Sequence, residues 1–283
     1  MYTTLISAAA LAAQVDNPNW LIVDCRHDLA NPDAGRDGYA IGHIRNAVFA
    51  ELETELSGEK RGADGQFHGR HPLPDRTAFI DTLRRWGVND ETQVVAYDAH
   101  GGMFAARLWW MLRWVGHPAA AVLDGGLAGW QAGGYPMSTE APARAAGALS
   151  DRPRLVHTVT AQDVLENIEG GERTVIDARA PDRFRGENET MDPVGGHIPG
   201  AKNRFFKDNL QPDGRFKDAA QLKADFAALV DDPAKVVAQC GSGVTACHNL
   251  LALEVAGMPG AALYPGSWSE WSSDPSRPVA TGA

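Results

Sequence analysis

Two halves of the chain carry the same signals in the same order, and this internal repeat constrains the fold more than any other feature. In the first half, one apolar run ends at Asp24, a Gly-His-Ile motif follows, and a second apolar run ends at Asp98. In the second half, the corresponding runs end at Asp177 and Cys240, again with Gly-His-Ile between them. The 283 residues are therefore predicted to form two similar domains.

The repeated apolar runs are short and bounded by turn residues, which is typical of buried strands. Helical patterns such as 77–86 and 222–230 lie between them. Strands that alternate with helices predict an α/β fold, in which each domain is a parallel sheet flanked by helices. We expect one domain at residues 1–137, a linker rich in proline and small residues at 138–154, and a second domain at 155–283.

Composition limits the kinds of partner and compartment. The formal net charge of −10 disfavours nucleic acids and anionic membranes as partners, and no apolar run is long enough to span a membrane. Three cysteines in a chain of this length argue against a disulfide framework and for a reducing, cytoplasmic setting. Residues 5–13 lack the basic start of a signal peptide and are predicted to form a surface helix capped near Thr3 or Thr4.

The chemistry is predicted to centre on Cys240, which follows a predicted strand and precedes a loop with two glycines and then a helix. In open α/β sheets, chemistry gathers at the carboxyl ends of the strands. Backbone N–H groups of the loop and the helix N-terminus both stabilise a thiolate, which makes a cysteine nucleophilic at neutral pH. The alternative is an inert, buried cysteine.

Two other cysteine chemistries are disfavoured. A cysteine-based phosphatase needs an arginine six residues after the nucleophile, and this position is Ala246. Cys247 and His248 lack metal-ligand spacing relative to Cys240, so no metal is predicted, and Cys247 is expected to pack within its helix.

The loop CGSGVTA, with DAR and GHIPGA before it and YPGSWSEW after it, resembles the rhodanese family of two-domain sulfurtransferases, which includes the 3-mercaptopyruvate and thiosulfate sulfurtransferases. The resemblance covers nearly the whole chain. It implies that Cys240 carries sulfur as a persulfide, without a cofactor, and passes it to cyanide, a thiol or thioredoxin. The persulfide would be held by the loop residues Gly241, Gly243, Val244 and Thr245. The first domain would be catalytically silent, because Asp98 stands where the second domain has its cysteine.

Arginines near the second repeated strand are the candidate binding groups for a small anionic donor. The resemblance matches Arg183 to the substrate-binding arginine of the family. Mercaptopyruvate-type relatives often carry another arginine nine residues further on, which this sequence lacks, and Arg185 is the candidate substitute. Arg179 is expected to pair structurally with a carboxylate. Because Gly241 and Ser242 carry no charge, 3-mercaptopyruvate is favoured as donor, while thiosulfate, or a persulfide carrier serving one protein partner, remain alternatives.

The resemblance also implies a relay from Ser242 to His71 and Glu53, although the family has an aspartate in the last position. The histidines of the two Gly-His-Ile motifs, His43 and His197, occupy equivalent repeat positions and are expected to serve the fold. The tryptophans are expected to be core or domain-interface residues, namely Trp109, Trp110, Trp114, Trp130 and Trp268.

Overall fold

The computed structural model describes residues 1–283, which divide into two compact units. The first unit comprises Met1–Ser57, Pro74–Leu155 and Leu210–Phe216. The second unit comprises Gly58–Leu73, Val156–Asn209 and Lys217–Ala283. Each unit thus holds most of one half of the repeat and a short segment from the other half. None of the helices is long and apolar enough to cross a lipid bilayer.

The first unit is built on a five-stranded parallel sheet. Its elements in chain order are β1 (Leu5–Ile6), α1 (Ala8–Ala12), β2 (Trp20–Asp24), α2 (Ala34–Ile41), β3 (His43–Ile44), β4 (Ala47–Phe49), α3 (Arg76–Arg85), β5 (Gln93–Tyr97), α4 (Ala105–Trp114), β6 (Ala120–Leu123), α5 (Gly126–Ala132) and β7 (Met137–Ser138). The strand order is β1-β6-β5-β2-β4, and β3 and β7 form a separate antiparallel pair.

The second unit contains another five-stranded parallel sheet. Its elements are β8 (His157–Thr158), α6 (Ala161–Gly170), β9 (Thr174–Asp177), α7 (Pro181–Arg185), β10 (Lys202–Asn203), a 3₁₀ turn (Phe206–Asn209), α8 (Ala219–Ala227), a 3₁₀ turn (Pro233–Lys235), β11 (Val236–Gln239), α9 (Ala246–Val255), β12 (Ala262–Leu263) and α10 (Ser267–Trp271). The strand order is β10-β9-β11-β12-β8.

The two sheets have the same strand order when each is followed from its β4 or β10 edge, so the sequence repeat is a repeat of topology. The central strands β5 and β11 are paired on both sides and buried along their whole length, as expected for apolar runs in a parallel sheet. The predicted α/β architecture is confirmed. The tryptophans predicted to be internal are buried, namely Trp109, Trp110, Trp114, Trp130 and Trp268.

The N-terminal segment differs from the prediction of one helix over residues 5–13. Leu5 and Ile6 pair with β6 at the sheet edge, and helix α1 begins only at Ala8. The helix is capped by Ser7, whose hydroxyl accepts a hydrogen bond from the N–H of Ala10 at 3.2 Å, and not by Thr3 or Thr4. These two residues form a strand and not a helical turn because both pair with β6 and Ile6 becomes buried at the edge of the sheet.

Both predicted helical patterns form helices, with starts set by capping side chains. The pattern at 77–86 becomes α3, which begins after Asp75, whose carboxylate accepts a hydrogen bond from the N–H of Ala78. The pattern at 222–230 becomes α8, which begins earlier because Asp218 and Gln221 form a reciprocal capping box.

An aspartate–arginine pair closes the corresponding strand of each sheet. Asp24 at the end of β2 binds the guanidinium of Arg26, which also donates to the carbonyl of Gly42 at 2.7 Å. In the second unit, Asp177 binds Arg179 in the same way, and Arg179 donates to the carbonyl of Gly196 at 2.7 Å. The predicted structural pairing of Arg179 with a carboxylate is therefore confirmed.

The histidines of the Gly-His-Ile motifs are also equivalent. His43 stacks on Tyr39 and His197 stacks on Phe184, each with ring centroids 3.8 Å apart. Each histidine places Nδ1 2.8 Å from the main-chain oxygen of the residue on which it stacks. Both rings are buried and bonded to the backbone of their own unit, as predicted for residues that serve the fold.

Candidate active site

Cys240 directly follows the central strand β11 of the second unit and is almost completely buried. Its backbone is fixed on both sides, because its N–H donates to Oγ of Ser267 at 3.1 Å and its carbonyl accepts from the N–H of Trp268 at 3.0 Å. The N–H of Ser242 lies 3.5 Å from Sγ of Cys240. The sulfur therefore lies at the carboxyl edge of the sheet with one loop N–H directed at it.

The loop after Cys240 turns sharply before helix α9. Gly243 has φ of +77°, and a Cβ at this position would lie 2.3 Å from the carbonyl oxygen of Pro265. Only glycine meets both constraints without strain. Val244 and Thr245 follow, and α9 begins at Ala246, so the loop runs into the positive end of a ten-residue helix.

The matching loop of the first unit shows what such a loop does to an anion. Asp98 directly follows β5 and is fully buried. Its two carboxylate oxygens accept hydrogen bonds of 2.7–2.9 Å from the backbone N–H groups of His100, Gly102, Phe104 and Ala105. A loop between the central strand and the next helix thus gathers four N–H donors around one buried negative group.

Ser242 and His71 are brought together from distant parts of the sequence. Oγ of Ser242 and Nδ1 of His71 are 2.7 Å apart, and both side chains are buried. His71 belongs to the segment Gly58–Leu73, which is part of the second unit. Glu53 belongs to the first unit and is half-buried, and its place in a relay with His71 stays a prediction.

Arg183, on helix α7, lies beside the cysteine loop. A Cβ built on Gly241 would be 3.7 Å from its Nη1 and 3.8 Å from its Nη2. Its Nε and Nη2 bind the carboxylate of Glu189 at 2.8–3.1 Å, and its Nη2 is 3.3 Å from Oδ2 of Asp192. Arg183 is therefore held in place by acidic side chains while part of its guanidinium faces the residue after Cys240.

Arg185 is placed differently, because its guanidinium binds the exposed carboxylate of Glu187 at 2.7–2.9 Å. This is a surface ion pair, of the kind that contributes little to stability. The substrate role predicted for Arg185 stays a prediction and gains no support from these contacts.

The carboxylates around Arg183 respond differently to burial. Burial raises the pKa of Asp192, and the positive charge of Arg70 acts in the opposite direction. Burial also opposes ionisation of Glu189, but hydrogen bonds from the N–H of Met191 and from Arg183 lower the pKa of that carboxyl below its ordinary value. Glu189 is therefore the firmer anionic partner of Arg183.

Sequence reasoning missed four residues around the cysteine loop, which are Arg70, Asp192, Ser267 and Ser269. Ser267 is fully buried and has φ of +53°, a left-handed conformation that costs a non-glycine residue about 1–3 kcal/mol. Its hydroxyl accepts from the N–H of Cys240 and donates to the carbonyl of Tyr264 at 2.9 Å, so Ser267 fixes the main chain at Cys240. The only local sequence signal for any of these four residues was the stretch PGSWSEW, which contains Ser267 and Ser269.

The other two cysteines have surroundings unlike that of Cys240. Cys25 is buried, and burial together with the negative charges of Asp24 and Asp98 raises its pKa well above the usual range. Cys247 is buried in α9, and its S–H donates to the carbonyl of Gly243 at 3.3 Å, which confirms the prediction of a packed helix cysteine. No group of three or more His, Cys, Asp or Glu side chains is arranged to hold a metal ion.

Comparison with known proteins agrees with this geometry. Residues 7–133 and 160–274 each match the rhodanese-like domain family. The chain is 45% identical over 284 residues to a probable 3-mercaptopyruvate sulfurtransferase of Pseudomonas aeruginosa, covering 98% of both chains. It is 39% identical to a putative thiosulfate sulfurtransferase of Mycobacterium tuberculosis, covering 98% of this chain and 97% of that protein. The crystal structure of the 3-mercaptopyruvate sulfurtransferase SseA from Escherichia coli superposes with a TM-score of 0.82 at 33% identity, covering 95% of this chain and 100% of SseA.

Proposed function

Because this chain belongs to the rhodanese family and its full-length relatives are sulfurtransferases, we propose that it transfers sulfur from 3-mercaptopyruvate to a thiol or cyanide through a persulfide on Cys240. The relative with 45% identity bears the name of a 3-mercaptopyruvate sulfurtransferase, which favours this donor. The uncharged loop residues Gly241 and Ser242 favour it as well, because they offer no cation to the double charge of thiosulfate.

The reaction has two displacement steps. The Cys240 thiolate attacks the sulfur of 3-mercaptopyruvate, the carbon–sulfur bond breaks, and its electron pair goes to carbon, which takes up a proton to give pyruvate. The acceptor thiolate or cyanide then attacks the outer sulfur of the persulfide, and Cys240 leaves as a thiolate. No electrons enter or leave, so the cycle needs no redox cofactor.

The observation that carries the proposal is the loop that follows each central strand. In the first unit it holds the buried Asp98 carboxylate through four N–H groups, which supports the same role for Gly241, Gly243, Val244 and Thr245 around a persulfide anion. A carboxylate carries no transferable sulfur, so the first domain is catalytically silent.

Side chains around the loop have proposed roles in the first step. Ser242 and His71 supply the proton that the carbon of the leaving pyruvate takes up, a role supported by their separation of 2.7 Å. Arg183 binds the donor carboxylate, which its distance from Gly241 supports. The acceptor is a small thiol or thioredoxin of the cytoplasm.

Two alternatives remain. The relative named as a putative thiosulfate sulfurtransferase favours thiosulfate:cyanide transfer by the same persulfide. The second alternative is a carrier that delivers its sulfur to one protein partner, since Cys240 would be needed in both cases and the sequence does not separate them.

Side-by-side turnover with 3-mercaptopyruvate and thiosulfate, with cyanide as acceptor, tests the proposal. We expect a preference for 3-mercaptopyruvate that Cys240→Ser abolishes and Cys247→Ser, a buried-cysteine control, retains. A preference for thiosulfate would show that the proposed donor is wrong but would leave the proposed persulfide mechanism in place. Absence of multiple turnover with either donor would reject the proposed enzymatic function and would leave the persulfide carrier as the remaining alternative.

A further inference from the structure

Helix α9 carries two fully buried polar side chains near its start, His248 and Asn249. They stand eight and nine residues after Cys240, in the turn of helix that follows the cysteine loop. Buried polar side chains cost free energy unless they are hydrogen-bonded. Neither residue takes part in the proposed reaction steps, so their role depends on what they bind.

Asn209 joins both of these side chains to Arg204. Its amide nitrogen, Nδ2, lies 2.7 Å from Oδ1 of Asn249 and 3.2 Å from Nδ1 of His248. Its amide oxygen, Oδ1, accepts from Nε and Nη2 of Arg204 at 2.9–3.1 Å. The amide of Asn249 in turn donates to the carbonyl oxygen of Arg204 at 2.8 Å. The four residues form one buried polar network within the second unit, which we call the Asn209 network.

The guanidinium of Arg204 determines the direction of the hydrogen bonds in the Asn209 network. A guanidinium has donors only, so the atom of Asn209 that faces it must be the amide oxygen. The two N–H groups of the same amide then point to Asn249 and His248, which makes Nδ1 of His248 an acceptor. Such a network specifies one geometry, whereas apolar packing is non-directional.

The first unit anchors its loop helix at the corresponding position. Arg107 stands nine residues after Asp98, the spacing that also separates Asn249 from the nucleophile, and it is fully buried. Its Nη2 lies 3.3 Å from the carbonyl oxygen of Leu56, which follows β4 as Arg204 follows β10. In each unit, therefore, a buried polar side chain near the start of the loop helix binds a main-chain carbonyl in the segment after an edge strand.

The start of α9 is joined directly to the end of the cysteine loop. The N–H of His248 donates to the carbonyl of Thr245 at 3.1 Å, so a shift of the helix moves the loop. At the beginning of the loop, the N–H of Ser242 lies 3.5 Å from Sγ of Cys240. Because loop N–H groups and the helix N-terminus stabilise a sulfur anion, the position of α9 affects the reactivity of the cysteine.

We propose that Asn209 and Asn249 are positioning residues of sulfur transfer, which act through helix α9 by fixing the backbone N–H groups of the cysteine loop around the sulfur of Cys240. The inference rests on the proposed function. The Asn209 network sets the geometry of the loop and does not bind the donor. Its loss should therefore slow the transfer of sulfur to Cys240 without weakening the binding of the donor.

Single-turnover kinetics separate these two effects. At saturating 3-mercaptopyruvate, Asn249→Leu should lower the rate constant of persulfide formation by about 10- to 100-fold, the scale of loss that a small misplacement of reacting groups produces. The inhibition constant of pyruvate, which reports binding at the donor site, should stay nearly unchanged. A variant that is only partly folded would show a smaller amplitude of persulfide formation and an unchanged rate constant.

Asn209→Ala is the second variant, because it breaks the link to the guanidinium of Arg204 and leaves the sequence of helix α9 unaltered. It should lower the same rate constant, and the double variant should be no slower than the slower single one, since both changes break one network. Asn167→Leu is the matched control, because its amide also makes two hydrogen bonds in the second unit, but to Arg173 from helix α6. Its rate constant should equal that of wild type.

The two proposals fail in different ways. Absence of a persulfide on wild-type Cys240 with either donor would reject the proposed function itself. If wild type forms the persulfide and the variants of Asn209 and Asn249 form it with the same rate constant, only the positioning role is wrong. A weakening of pyruvate inhibition as large as the loss in rate would also reject that role. Should Asn249→Leu not fold, Asn209→Ala alone decides.

Discussion

The residue that follows each central strand decides what its loop can do. Asp98 and Cys240 both stand directly after such a strand, and both are buried at the start of a loop that leads into a helix. The side chain of Asp98 itself fills its loop, since its two oxygens accept four backbone hydrogen bonds. In the proposed function, Cys240 becomes a comparable anion only as a thiolate or persulfide, which would make the first loop structural and the second reactive.

Asp98→Ala should therefore destabilise the first unit strongly. The change leaves four N–H groups, three of them buried, without their acceptor, and we expect a loss of about 3–5 kcal/mol in the free energy of unfolding. Urea denaturation followed by circular dichroism measures this loss. Asp28→Ala is the matched control, because Asp28 accepts two loop N–H groups at the surface, where water replaces it at much lower cost. Equal losses in the two variants would contradict this role of the Asp98 loop.

At the scale of the elements, the connection between helix α4 and strand β6 contains a buried ionisable group. His117 is fully buried, and its Nε2 lies 2.8 Å from the carbonyl oxygen of Thr92, which identifies Nε2 as the protonated nitrogen of a neutral ring. Burial lowers the pKa of His117 below its ordinary value, and the hydrogen bond to Thr92 only partly opposes this effect. The connection is therefore built for a neutral histidine.

The lowered pKa makes this connection sensitive to acid. Between the lowered pKa and the ordinary value of about 6.5, the unfolded chain binds the proton more tightly than the folded protein does. The stability contributed by neutral His117 is thus complete above about pH 6.5 and is lost as the pH falls through the folded-state pKa. His117→Gln keeps an N–H donor for Thr92 but does not titrate, so it should reduce the loss of stability on acidification.

Urea midpoints of wild type and His117→Gln at about pH 7.5 and about pH 5 test this expectation, since the first value lies above and the second below the ordinary histidine pKa. The variant should be no more stable than wild type at the higher pH and should lose less stability at the lower one. Parallel pH profiles would show that His117 does not contribute to the acid sensitivity of the first unit.

At the scale of the whole molecule, the sequence predicted those features that repeat or that act locally. The apolar runs, the loop after Cys240 and the pairing of Arg179 with a carboxylate all involve residues close in sequence, where strand patterns and short motifs are informative. Arg70 could not be found in this way. Its ion pair with Asp192 joins positions 122 residues apart, and it depends on the membership of Gly58–Leu73 in the second unit, which no local pattern indicates.

A loop follows the central strand of each sheet, but only one of the two loops begins with a cysteine, so the proposed function predicts that each chain takes up one transferable sulfur. Cys25 stays a thiol at neutral pH because burial and the charges of Asp24 and Asp98 raise its pKa. Cys247 is buried and donates its S–H to a carbonyl. Intact-protein mass spectrometry after donor treatment should therefore show a gain of one sulfur atom.

The three cysteines provide the controls for this stoichiometry. Cys240→Ser should gain no sulfur, whereas Cys25→Ser and Cys247→Ser should each gain one, and cyanide should remove it in both. Uptake of two sulfur atoms by wild type, or of one by Cys240→Ser, would mean that burial does not protect the other cysteines. In that case the division into one reactive and one structural loop would not describe the chemistry of the molecule.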